Sequence, residues 1–99
     1  MVALNSGPAA LQSAGQELRL LLRAQLQELG FISASSTVGD AHSLFDSGVL
    51  DSLRLMELVS RLEARFGIQV SPDDLAPENF DSLVGMADYL RRQLDHRPV

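Results

Sequence analysis

The sequence predicts an all-α fold: a small four-helix bundle of three long helices and one short helix. Three observations carry this expectation. Leucine dominates, while aromatics make up 5% of the chain and tryptophan is absent, a balance that suits packed helices better than a β-sandwich. Apolar residues recur at three- and four-residue spacing in three separate stretches, which is the period of a helix with one buried face. Glycine, proline and small polar residues stand at the ends of those stretches, where helix caps need them.

Residues 1–12, with Gly7-Pro8, read as a flexible N-terminal arm, and residues 13–95 as the folded domain, followed by a short tail at 96–99. Ser13-Ala14-Gly15-Gln16 fits a capping box, so the first helix is expected from about residue 14 to Leu29. Leu18, Leu22, Gln25/Leu26 and Leu29 form its inner stripe, widened by Leu21, and Gly30 stops it. A start at Ala9 would place Gly15 inside the helix, at a cost of up to about 1 kcal/mol. Residues 31–51 then form a long connection, rich in serine, glycine and aspartate but studded with Phe31, Ile32, Val38, Leu44, Phe45, Val49 and Leu50. A connection of this length is either functional or disordered, and its apolar residues favour packing against the helices.

The second helix is expected from Ser52 or Leu53 to Phe66, with Leu55, Leu58/Val59, Leu62 and Phe66 facing inward and Gly67 as the stop. After a short extended piece, Ser71-Pro72-Asp73-Asp74 reads as cap, proline and first-turn acids of a short helix ended by Pro77. Asn79 is expected to cap a last helix from Phe80 to Leu94, with Phe80, Leu83/Val84, Ala87 and Leu90/Leu94 inward and Arg91 and Arg92 near its negative end.

Composition narrows the function. The net charge is −5, with every basic residue an arginine, so nucleic acid is an unfavoured partner. The absence of cysteine excludes disulfides, thiol nucleophiles and thiolate metal sites from the chain itself. No basic residue precedes Arg19, and Arg19 and Arg23 interrupt the most apolar run. Neither a signal peptide nor a membrane span is expected, and the cytoplasm is the expected location.

The stretch with the most chemistry is Leu44-Phe45-Asp46-Ser47-Gly48-Val49-Leu50-Asp51-Ser52-Leu53. A polar loop bearing glycine runs into Asp-Ser-Leu just where a helix begins. Asp-Ser-Leu is a weak signal alone, and it occurs again at Asp81-Ser82-Leu83, while Ser47 is a third acid-flanked serine. Any of the three could simply cap a helix or shape a turn.

The wider pattern is more specific. Residues 44–53, then Glu57-Leu58-Val59 and Leu62-Glu63-Ala64-Arg65-Phe66-Gly67-Ile68, resemble the acyl carrier and peptidyl carrier protein family. The resemblance spans about residues 13–94 and includes the helix order. It implies that Ser52 receives a 4′-phosphopantetheine arm from coenzyme A, whose thiol holds an acyl or aminoacyl group as a thioester. It implies that Asp51 serves the phosphopantetheinyl transferase, whose metal ion can bridge carboxylate and phosphate. It also implies that Leu53, Met56 and Ser60 dock partner enzymes. An exposed hydroxyl at a helix N-terminus suits such an attachment, because free N–H groups and the positive dipole end favour phosphate. As alternatives, Asp51 could be a simple N-cap, and Leu53 and Met56 peripheral core. Chain length favours Ser52 over the second copy: 47 residues follow Ser52 but only 17 follow Ser82, too few to complete a bundle.

Two further groups lead elsewhere and fall short. His42 and His96 suggest a Ser/His/Asp set, but no nucleophile elbow is present. Asp73, Asp74 and Glu78 fit no calcium loop. Arg54, Arg61 and Arg65 beside Glu57 and Glu63 depart from the acidic helix of many fatty-acid carriers. With Pro77-Glu78-Asn79-Phe80, they lean towards carriers of amino acids or specialised extender units. The expected function is that of a monomeric stand-alone carrier, not itself an enzyme. Its expected partners are a phosphopantetheinyl transferase, an adenylating ligase and a downstream transferase or synthase. A helical interaction domain lacking the arm is the rival reading; a small serine hydrolase is a third.

Overall fold

The computed structural model describes residues 8–95, with side chains from residue 15 onward. Among them are four α-helices and no strand. Helix α1 spans Pro8–Glu28, α2 Ser52–Phe66, α3 Pro77–Phe80 and α4 Leu83–Asp95, with a 3-10 turn at Pro72–Asp74 between α2 and α3. The expected bundle is therefore present. Helix α1 packs along α4, and α3 packs against the start of α4.

One core joins all of these pieces. Leu18, Leu22 and Leu26 of α1 meet Leu55, Leu58, Val59 and Leu62 of α2 and Leu83, Met86, Ala87 and Leu90 of α4. Each leucine taken fully from water contributes about 1.5–3 kcal/mol. Gln25 shares the inner face of α1 and is 2% exposed. Phe80 and Tyr89 close one end, with ring centres 5.3 Å apart and planes tilted by 54°. The Tyr89 hydroxyl donates to Asp74 Oδ2 at 2.9 Å, tying the 3-10 turn to α4. Burial, then the hydrogen bond to and charge of Asp74, push the Tyr89 pKa up to about 12.

The long connection is irregular, as expected, but it is pinned. Ile32, Leu44, Val49 and Leu50 enter the core. The Asp40 carboxylate accepts from Arg19 Nε at 3.0 Å and Arg23 Nη2 at 2.9 Å, one turn apart on α1. The Asp40 carbonyl accepts from the Val84 N–H at 3.0 Å. One residue thus holds the connection to both α1 and α4.

Three boundaries differ from expectation. Helix α1 begins at Pro8, not at the Ser13 capping box. Proline is favourable in a first turn, where its missing N–H is not needed, and Gly15 lies inside the helix. Residues 1–7 and 96–99, including His96, lie outside the described residues. Pro77 opens α3 instead of closing the short helix before it, because Ala76 is extended (φ −109°, ψ 148°), the conformation a following proline imposes. Asn79 does not cap the last helix. It lies within α3, donating from Nδ2 to the Asp74 carbonyl at 2.9 Å. The cap of α4 is Ser82, whose Oγ accepts from the Gly85 N–H at 3.0 Å. Val84, expected inward, is exposed.

Candidate functional site

The loop leading to α2 is built on hydrogen bonds from the far end of the chain. The Leu44 N–H donates to the Asp81 carbonyl at 2.6 Å. Asp81 Oδ1 accepts from Ser43 Oγ at 2.8 Å and from the Phe45 N–H at 3.0 Å. Ser43 Oγ in turn accepts from the Asp46 N–H at 3.1 Å. The chain turns through residues 44–48, with Gly48 at φ +82°, a conformation that only glycine adopts without strain. The Leu50 N–H then returns to the Leu44 carbonyl at 2.9 Å. Buried Val49 and Leu50 leave Asp51 and Ser52 at the surface.

Asp51 is extended (φ −137°, ψ −174°), and its carboxylate caps α2 by accepting from the Arg54 N–H at 2.8 Å. This is the capping role expected of it. Ser52 opens the helix and is exposed. Its hydroxyl engages no other described group.

The two rival serines are different. Ser47 is exposed, but its Oγ donates to the Leu44 carbonyl at 3.2 Å. Ser82 is half-buried and occupied in capping α4. In its copy of the motif, Asp81 is turned to the loop and Leu83 is in the core. The same tripeptide thus has two environments. At 51–53 the serine and leucine face water, and at 81–83 all three side chains are engaged.

Leu53 is 71% and Met56 51% exposed, so neither is peripheral core. Ser60 is also exposed. The three follow Ser52 along the outer face of α2. Arg61 Nη1 reaches Glu28 of α1 at 3.1 Å, while Glu63 Oε2 accepts from the Val70 N–H at 2.9 Å.

Arg54, which the sequence marked only as one of three arginines on α2, has a role at this site that the sequence did not show. Its guanidinium lies over the Phe31 ring, 5.0 Å from the ring centre. Nη1 donates to the Val49 carbonyl at 3.2 Å, with a longer contact of 3.5 Å to the Gly48 carbonyl. No local pattern announces a partner 23 residues away.

The other chemical leads close here. His42 is exposed, and its Nδ1 accepts from the Gly39 N–H at 2.7 Å, shaping a turn. No group of His, Asp and Glu able to hold a metal ion occurs among the described residues. No described helix is long and apolar enough to cross a membrane. An open groove of about 450 Å³ lies between α1 and α4, lined by residues such as Arg19, Val84 and Arg91, none of them from the 44–53 stretch.

The surroundings of Ser52 suit a covalent phosphodiester. The hydroxyl engages no described group, the flanking loop is fixed, and the first-turn N–H groups offer a positive potential. Comparison with curated proteins returns no match. Residues 17–90 match the family model described as a phosphopantetheine attachment site. That span runs from α1 to α4 and includes the whole site loop. The chain therefore belongs to the phosphopantetheine-attachment family, whose members are carriers of a covalently bound 4′-phosphopantetheine.

Proposed function

We propose that Ser52 is the attachment residue of a carrier domain spanning residues 13–95. The observation that carries this reading is the contrast among the three acid-flanked serines. Only Ser52 combines an exposed position, a helix N-terminus and a hydroxyl that engages no other described group. In the modification, Ser52 Oγ bonds to the phosphorus of coenzyme A next to the pantetheine. The hydroxyl proton is lost and 3′,5′-ADP leaves. Once bound, the arm supplies a thiol, which this cysteine-free chain lacks, to hold an acyl or aminoacyl cargo as a thioester.

The remaining residues present and guide. One Asp51 oxygen caps the helix, which leaves the other for a metal ion in the transferase complex. Leu53, Met56 and Ser60 give partners a small apolar strip beside the arm. Weak docking and a tethered cargo work together, since the tether supplies a high effective concentration while each enzyme stays free to leave.

The partners we propose are a phosphopantetheinyl transferase, an adenylating ligase that loads the thiol, and a transferase or synthase that unloads it. The arginines of α2 favour amino acids or specialised extender units over housekeeping fatty acids as cargo. The protein acts as a cytoplasmic monomer and is not itself an enzyme.

Intact-mass measurement after incubation with coenzyme A and a broad-specificity transferase tests the assignment. Wild-type protein gains one phosphopantetheinyl group and Ser52→Ala gains none. A gain that persists in Ser52→Ala refutes Ser52 as the site, and no gain in the wild type refutes attachment altogether.

A further inference from the structure

We propose that Arg54 is a positioning residue: it clamps the loop before Ser52 and so sets how readily the modifying enzyme engages the serine. The inference rests on Ser52 being the attachment residue. Since the Ser52 hydroxyl makes no hydrogen bond to any described residue, its placement depends on its neighbours.

Those neighbours form a closed set of contacts around it. Upstream, the Leu50 N–H is tied to the Leu44 carbonyl at 2.9 Å. Downstream, the Arg54 N–H is tied to Asp51 Oδ1 at 2.8 Å, and the Leu55 N–H to the Asp51 carbonyl at 2.8 Å. The Arg54 side chain joins the two halves, because it starts on α2 and ends on the Val49 carbonyl, with Gly48 close by. Phe31, half-buried just past the end of α1, lies beneath the guanidinium, with its ring centre 5.0 Å away. A planar cation suits this place, since it stacks on a ring with its face while its edge donates to carbonyls.

A direct role toward the serine's phosphate is disfavoured by direction. Residues two apart on a helix do not face each other, and the guanidinium is committed to the Phe31 side. Arg54 therefore acts through the loop. Releasing it lowers the fraction of molecules whose loop is docked, and the apparent affinity of any enzyme that requires the docked loop falls by that fraction.

The test measures coenzyme A-dependent loading at varied carrier concentration, using a broad-specificity phosphopantetheinyl transferase, on wild type, Arg54→Ala and Arg54→Lys. The loss of one hydrogen bond and one cation–ring contact lowers the docked-to-undocked ratio of the loop by about fivefold. Arg54→Ala should raise KM for the carrier by up to about fivefold and leave kcat within twofold. Arg54→Lys keeps the charge but not the planar fork, so its KM should match that of Arg54→Ala. Amide exchange at Leu50 should accelerate in both variants while exchange at Leu62, in the core, stays unchanged.

A wild-type KM in Arg54→Ala overturns the proposal. So does a wild-type KM in Arg54→Lys, which would make the charge alone the cause. A raised KM with unchanged exchange at Leu50 overturns it too, because Arg54 would then contact the transferase directly. The exchange measurement needs no loading. Unloaded wild type or loaded Ser52→Ala refutes the attachment reading instead, while unchanged Leu50 exchange refutes the clamp whether or not Ser52 is the site.

Discussion

Replacing Asp81 with alanine should destabilise the domain more than replacing Asp51, its twin in sequence. Asp81 Oδ1 accepts two hydrogen bonds, from Ser43 Oγ at 2.8 Å and the Phe45 N–H at 3.0 Å. Hydrogen bonds to a charged group contribute about 1.5–3 kcal/mol each. Asp81 is half-buried, not fully enclosed, so the low end applies and the pair amounts to about 3 kcal/mol. Asp51 accepts one bond, from the Arg54 N–H, on an exposed helix cap, for which about 1 kcal/mol is usual. In a domain of this size, about 3 kcal/mol corresponds to a fall in Tm of roughly 12–24 °C. Both bonds converge on one oxygen, so Asp81→Asn can keep them with its amide oxygen and should lose only about 1 kcal/mol. Urea unfolding followed by far-UV circular dichroism gives the three values directly. The reasoning fails if Asp81→Ala costs no more than Asp51→Ala, or if Asp81→Asn is as damaging as Asp81→Ala.

Two further measurements follow from Tyr89 and Gly48. Tyr89 is the only tyrosine, and the chain has neither lysine nor cysteine, so no other side chain titrates between pH 10 and 12. Its folded pKa is raised to about 12, so the stabilisation is fully present below pH 10 and is lost as pH rises towards 12. The loss is about 3 kcal/mol at most. Urea unfolding across that window should show the decline, and Tyr89→Phe should flatten it. At Gly48, where φ is +82° and an added Cβ would meet nothing within 4 Å, substitution by alanine should cost only the backbone strain of about 1–2 kcal/mol. Thermal unfolding of Gly48→Ala reads this out.

The three long helices were legible because each writes its buried face at helical spacing. Leu55, Leu58, Val59 and Leu62 are all buried, as their period requires. Asp51 as cap and Gly67 as stop, at φ +67°, were legible because caps are local chemistry. The break between α3 and α4 was not legible, because two capping residues, Asn79 and Ser82, stand three positions apart and either could start a helix. Tertiary contact decided between them: Asn79 turns to the Asp74 carbonyl, and Ser82 is left to cap. The start of α1 was ambiguous for a similar reason: the Ser13 box and an earlier start near Ala9 are both valid, and the helix takes the earlier one, at Pro8. Residues joined over long separations left no trace at all. Asp40 with Arg19, Asp81 with Ser43, and Arg54 with Phe31 are 21, 38 and 23 positions apart. Periodicity and capping rules reach only a few residues along the chain.

The two Asp-Ser-Leu copies show how one tripeptide acquires two environments. At 81–83 the motif follows a single turn of helix and is turned inward: its aspartate holds the site loop, its serine caps α4, and its leucine is fully buried. At 51–53 the core is already filled by Val49, Leu50 and Leu55, which leaves nothing for Ser52 and Leu53 to pack against. The copies are also physically linked. Asp81 fixes residues 43–45, the Leu50 N–H returns to Leu44, and Asp51 follows directly. One motif builds the platform on which the other is displayed. A substitution at Asp81 should therefore be felt at Ser52 although the two lie 29 positions apart, through a chain of hydrogen bonds rather than through the core.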